Sequence, residues 1–101
     1  MSASIGALQP WLQPYAQAAA NYAAMYGGRV SSTYRSYSEQ LHLWNNRAHN
    51  PFPVAPPGRS HHELGRAFDI TAPPEVLAAL ARWWKSIGGT YYEADPIHFQ
   101  A

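Results

Sequence analysis

His62 and Asp69 are the two residues of this chain best placed to share a metal ion. They stand seven positions apart in the run Ser60-His61-His62-Glu63-Leu64-Gly65-Arg66-Ala67-Phe68-Asp69-Ile70. An imidazole and a carboxylate are both good donors at neutral pH, and a divalent ion between them acts as a Lewis acid. On one helix the two side chains would share a face but lie about 10 Å apart along the axis. That is too far for a single ion whose bonds to such donors are about 2.0 to 2.2 Å. The support must therefore bend, with His62 in a loop, Gly65 turning the chain and residues 66–71 running as a strand. Alternation along that strand sends Phe68 and Ile70 into a core and leaves Ala67, Asp69 and Thr71 on a cleft-facing side. The small Ala67 leaves room for an ion beside Asp69. His61 and His62 are adjacent, and spacing alone does not choose between them.

The pattern Ser, any, His, two of any, Gly, any, Ala, any, Asp resembles the first zinc motif of the VanY-type family of D-alanyl-D-alanine carboxypeptidases and L-alanyl-D-glutamate endopeptidases. Every fixed position is matched, from Ser60 through His62, Gly65 and Ala67 to Asp69. Ser32-Thr33-Tyr34-Arg35-Ser36, followed by Gln40 and Leu43, is similar to a second block, in which the arginine sits at the cleft edge. Asp95-Pro96-Ile97-His98-Phe99 is similar to the last motif, an acid three residues before the third zinc ligand.

The resemblance spans roughly residues 30–99 and implies an α+β fold, a small mostly antiparallel sheet with a zinc cleft on one face and helices on the other side and at the ends. It implies a zinc ion on His62, Asp69 and His98, so it selects His62 from the doublet. It further implies Asp95 as general base, Arg35 stabilising charge that develops on oxygen, and Gln40 and Ser60 hydrogen-bonding the substrate, a peptidoglycan stem peptide. The acid at 95 is aspartate where many carboxypeptidase members have glutamate, which aligns the chain with the endopeptidase, phage-lysin branch and the L-alanyl-D-glutamate bond. A D-alanyl-D-alanine carboxypeptidase, or a zinc-stabilised wall-binding module without catalysis, as hedgehog-type relatives suggest, are the rival readings. Glu93 is an alternative acid, but its spacing to His98 does not fit the motif.

Several elements must position these groups. Leu12, Tyr15, Ala19, Tyr22, Ala23 and Tyr26 recur at spacings of three and four, which predicts a structural helix over 11–26 closed by Gly27-Gly28. Residues 29–34, rich in Val, Ser, Thr and Tyr, predict a strand ending at Arg35. A short helix follows over 38–47, with Ser38 as cap and Leu41 and Trp44 buried. Pro51, Pro53, Pro56, Pro57 and Gly58 then forbid regular structure, so 45–60 is read as a loop forming one wall of the cleft. His42 and His49 have no second donor nearby in sequence and are read as packed or solvated, and Glu63 as a solvated loop carboxylate. Pro74 and Glu75 open a helix running to about Ser86, with Val76, Leu77, Leu80, Trp83 and Trp84 as its apolar face. Thr90-Tyr91-Tyr92 is strand-like, and Pro96 makes a turn between Asp95 and His98.

Composition sets the outer bounds. A chain of 101 residues makes one domain, 1–101, whose first ten residues are expected to fray. Seven Lys and Arg against six Asp and Glu give a net charge of +1, without the basic stripe that nucleic-acid binding needs. With no cysteine, thiolate metal sites and disulfides are excluded. No apolar run approaches a membrane span, and Gln9, Pro10, Gln13 and Pro14 interrupt any export signal. The expectation is a monomer that reaches the wall after lysis or in a phage particle, or that forms part of a longer chain.

Overall fold

The computed structural model describes residues 2–101. Helix α1 is Gln13–Ala24, with Pro14 in its first turn, where an amide hydrogen would have no helical partner. Strand β1 is Arg29–Ser32, helix α2 Tyr37–Asn45 and strand β2 Ala67–Thr71. Helix α3 is Pro74–Ser86, and strands β3 and β4 are Thr90–Tyr91 and His98–Gln100. The strands form one sheet in the order β1-β2-β4-β3, with every neighbouring pair antiparallel. The α+β architecture matches the expectation. No helix among the described residues is long and apolar enough to cross a membrane.

Alternation in β2 divides the molecule as its sequence predicts. Phe68 and Ile70 are fully buried, and Phe99, paired with Phe68 across β4, joins them. The Phe68 and Phe99 rings stack with centroids 5.5 Å apart, and Trp84 of α3 meets Phe68 edge-on at 5.4 Å. Leu12, Ala16, Ala19 and Ala23 of the α1 segment and Val76, Leu77 and Leu80 of α3 complete this core. The opposite face of β2 and β4 carries Asp69 and His98, directly paired.

Three expectations are corrected. Of the recurring face read over 11–26, only Leu12, Ala19 and Ala23 are buried, while Tyr15, Tyr22 and Tyr26 stay 36–52% exposed. Alanine permits a close approach of helix to sheet, and rings would hold the two apart. A spacing of three and four marks a broad face without saying which edge of it turns inward. The α2 helix is capped by Ser36, not Ser38: Ser36 Oγ accepts from Glu39 N at 3.1 Å while Glu39 Oε1 accepts from Ser36 N at 3.0 Å. This shift buries Gln40 and leaves Leu41 39% exposed, because α2 faces the polar cleft wall. The start of the chain is tied down from Ser2 onward: Ser4 O accepts from Thr33 Oγ1 at 2.8 Å, Gln9 N donates to Gly65 O at 3.0 Å, and Leu8 is buried.

Gly28 shows how tightly α1 is seated. A β-carbon there would lie 2.8 Å from Thr71 O and 2.8 Å from Ala72 Cβ, in backbone that cannot swing aside. Gly28→Ala is therefore expected to destabilise the fold by about 1–3 kcal/mol, the usual cost of overpacking. The check is a lower urea midpoint with an unchanged slope.

Candidate metal centre

His62 is presented by a tight turn, His61–Leu64, that two side chains hold in shape. Ser60 Oγ accepts from His62 N at 3.2 Å, and the Glu63 carboxylate accepts from Ser60 N at 3.1 Å and from Gly58 N at 3.0 Å. Glu63 is thus a bracket for the turn, not the solvated carboxylate expected. Gly65 ends the turn at φ 66°, in the left-handed region that side chains avoid, and sends the chain into β2. Asp69 then stands opposite His98 on one side and Ser32 on the other. The pairing with Ser32 needs a bulge, since Val30 pairs with Ile70 and Ser31 is the extra residue.

The three expected ligands converge. Asp69 Oδ1 lies 3.1 Å from His62 Nε2 and 3.2 Å from His98 Nδ1, and those nitrogens are 3.2 Å apart. The far side of each ring fixes what faces inward. His62 Nδ1 lies 2.5 Å from Thr33 O, a pure acceptor, so Nδ1 carries the hydrogen and Nε2 presents a lone pair. His98 Nε2 lies 2.7 Å from Gln100 Oε1, which in the same way leaves the lone pair on His98 Nδ1. Two lone pairs and a carboxylate oxygen therefore point at one place, an arrangement that repels itself unless a cation lies between them. Corners of a tetrahedron around an ion with bonds of about 2.0 Å are about 3.3 Å apart, close to this triangle. The donor set fits a divalent metal ion.

With no cation between them, the three groups share protons instead. Burial works to raise the Asp69 carboxyl, but its bonds to His62 and His98 prevail and hold it well below the usual carboxylate range. Burial likewise works against a charged His98, and the bonds to Asp69 and Gln100 outweigh it. Asp69 Oδ2 is taken by Arg35 Nη2 at 2.9 Å, which leaves Oδ1 to face the imidazoles.

The remaining candidates occupy the cleft around this centre, a space of about 630 Å³. Arg35 and Gln40 are joined, Nη1 to Oε1 at 3.2 Å, and Gln40 Nε2 donates to Ala55 O at 2.8 Å. Gln40, expected to hydrogen-bond the substrate, is instead 1% exposed with its amide engaged at both ends, and ties the proline-rich loop to Arg35. Ser60 lines the cleft, and its hydroxyl hydrogen meets no acceptor among the described residues. Asp95 lines it too, on the turn before β4, where Asp95 O accepts from His98 N at 3.1 Å. Burial pushes the Asp95 carboxyl above its ordinary value, partly opposed by His98. Glu93 lies instead in a separate depression against α3. His42 and His49 are not among the residues lining the cleft, and His61 lines it without joining the ligand triangle. Sequence reasoning missed Thr33 and Gln100 as partners of the ligand histidines. Gln100 was open to discovery, being two residues from His98 and so on the same strand face. The Thr33 contact is made by backbone and leaves no mark in residue type.

Comparison with known proteins gives a consistent picture. The sequence model of the VanY family, described as D-alanyl-D-alanine carboxypeptidase, matches residues 8–90, ending before Asp95 and His98. No curated protein matches the chain. Among solved structures it resembles the vancomycin-resistance D,D-pentapeptidase VanY from a VanB-type resistance cassette, solved in complex with Zn(II). The TM-score there is 0.71 at 23% identity, covering 92% of this chain and 71% of that one. It also resembles the L-Ala D-Glu endopeptidase ChiX of Serratia marcescens, with TM-score 0.65 at 21% identity over 95% and 81% of the two chains. The LD-carboxypeptidase LdcB gives 0.62 at 23% identity over 92% and 64%. At these identities the likeness to solved structures is one of fold.

Proposed function

Because the chain belongs to the VanY family, we propose that it is a zinc-dependent peptidase of peptidoglycan stem peptides, cutting the L-alanyl-D-glutamate bond in the manner of phage-lysin endopeptidases. The observation that carries the metal is the convergence of His62 Nε2, Asp69 Oδ1 and His98 Nδ1 at mutual distances of 3.1–3.2 Å. Three protein donors with a fourth position open are the arrangement of a catalytic zinc site. Bound there, zinc lowers the pKa of water and polarises a carbonyl oxygen.

The chain's own groups do the rest. Asp95 takes the proton from the attacking water and returns it to the leaving amine. Arg35 fixes Asp69 by its Oδ2 and sets a positive charge beside the ligand triangle, where negative charge develops on the substrate oxygen. Gln40 acts through Arg35, and Ser60 offers its hydroxyl hydrogen to a substrate carbonyl. The choice of bond rests on Asp95. One methylene shorter than glutamate, it draws the water and the peptide closer to the turn at Pro96.

Release of new amino groups from purified cell wall by zinc-loaded protein, abolished by a chelator, tests the reading. Wall binding without release favours the non-catalytic module. The pH profile adds a second check. A base works deprotonated, so activity should fall as pH drops through the carboxylate range, at a point that burial of Asp95 raises and a bound cation lowers. Zinc content measured along the same series separates this limb from loss of metal. A rate that stays flat below that range while zinc is retained would remove Asp95 from the base role.

A further inference from the structure

Two cations line the cleft, Arg35 and Arg59, and they differ in one respect. Arg35 is committed to Asp69 and Gln40. The Arg59 guanidinium is exposed and makes no hydrogen bond or ion pair with any described residue. Its main chain, by contrast, is held at three successive positions. Gly58 N and Ser60 N both donate to the Glu63 carboxylate, at 3.0 and 3.1 Å, and Arg59 N donates to Pro56 O at 3.1 Å. The Glu63 charge is thereby spent on backbone amides, although it belongs to a residue four positions from Arg59 in sequence.

A rigid base with a free guanidinium differs from an ordinary surface arginine on a mobile loop. Fixing the backbone removes part of the ordering cost of binding, and the planar fork of arginine matches a carboxylate with two parallel hydrogen bonds. Phe52 and Val54 add apolar side chains to the wall of the same cleft. Arg59 also immediately precedes Ser60, whose hydroxyl caps the turn that carries His62, and it lines the same cleft as His62, Asp69 and His98.

We infer that Arg59 anchors a carboxylate of the peptide lying in this cleft, so that the protein selects stem peptides by their acid groups; this rests on the peptidase reading above. A stem peptide offers two such groups. One is the free α-carboxylate of a γ-linked D-glutamate, beside the bond proposed to be cut, and the other is the chain terminus.

The test uses the zinc-loaded 101-residue protein and three pentapeptides. The first is L-Ala-γ-D-Glu-L-Lys-D-Ala-D-Ala, the second has D-isoglutamine in place of D-glutamate, and the third has an amidated C-terminus. Removing the anchored carboxylate should lower kcat/KM by about tenfold, chiefly through KM, the size of one partly exposed charge-assisted contact. Loss with the isoglutamine peptide alone assigns the anchor to D-glutamate, and loss with the terminal amide alone assigns it to the terminus. Arg59→Gln should bring the acid-to-amide ratio towards one, Arg59→Lys should keep part of it, and Arg82→Gln, outside the cleft, should keep all of it. Titration of Asp95→Asn protein with the same peptides should reproduce the ratio in Kd without bond cleavage. A wild-type protein indifferent to both amides, or an unchanged ratio in Arg59→Gln, overturns the inference while leaving the peptidase reading intact. Failure to cleave any of the three overturns the peptidase reading and the inference with it.

Discussion

Alanine at position 98 is expected to cost more than about a hundredfold in zinc affinity and to remove peptidase activity, with the fold retained. The lower bound follows from the ten- to hundredfold that loss of a mere outer partner of a ligand typically costs. His98 is a direct corner of the triangle, with Nδ1 3.2 Å from both Asp69 Oδ1 and His62 Nε2. Two donors would remain, too few to hold a catalytic zinc ion. His62→Ala should behave alike. His61→Ala should keep its metal, because His61 lies outside the triangle. Metal analysis after dialysis, beside circular dichroism to verify folding, reads all three. Zinc lost from His61→Ala and kept by His62→Ala would reverse the choice within the doublet.

Asp95→Asn should lower kcat by about a hundredfold to ten thousandfold, the range for loss of a general base. The amide keeps the shape of the side chain and cannot accept the proton. Zinc content and thermal midpoint should stay near wild type, since Asp95 holds no ligand by its side chain and the turn before β4 is kept by backbone. That turn is fastened by His98 N to Asp95 O at 3.1 Å and by Tyr91 Oη to Pro96 O at 2.8 Å. Glu93→Gln should retain most activity, because Glu93 lies outside the cleft. Full activity in Asp95→Asn with an inactive Glu93→Gln would transfer the role.

The parts of the molecule open to sequence reasoning are those where residue type and period are tied to one geometry. The seven-position step from His62 to Asp69, broken by Gly65, excludes a helix and demands a turn into a strand; the φ of 66° at Gly65 is that turn. Phe68 and Ile70 alternate with Asp69, and a slip of one residue would exchange core and cleft. The helix begun by Pro74 follows in the same way from a fixed φ and a clear apolar face.

Where several geometries serve one pattern, sequence reasoning fails. The aromatics of α1 share a broad face with its alanines, and only the packing distance to the sheet shows that the alanines go inside. Ser36 and Ser38 are both sound caps, yet Ser36 is followed three residues later by Glu39, which completes a reciprocal pair. That one choice turns Gln40 inward. The bulge at Ser31 and the Thr33 carbonyl behind His62 are backbone features, set by the pairing of β1 with β2 and invisible in residue type. The bracing of residues 2–10 against Thr33 and Gly65 depends on contacts far apart in the chain, where local composition is silent.

Mass spectrometry of purified peptidoglycan digested by zinc-loaded protein tests the central claim most directly. The proposed chemistry predicts fragments with a new amino terminus on D-glutamate and L-alanine left as a new carboxyl terminus, produced by wild type and absent with Asp95→Asn. Loss of a single terminal D-alanine with the L-alanyl-D-glutamate bond intact would contradict the choice of bond. An unaltered wall in the presence of zinc would contradict the peptidase itself.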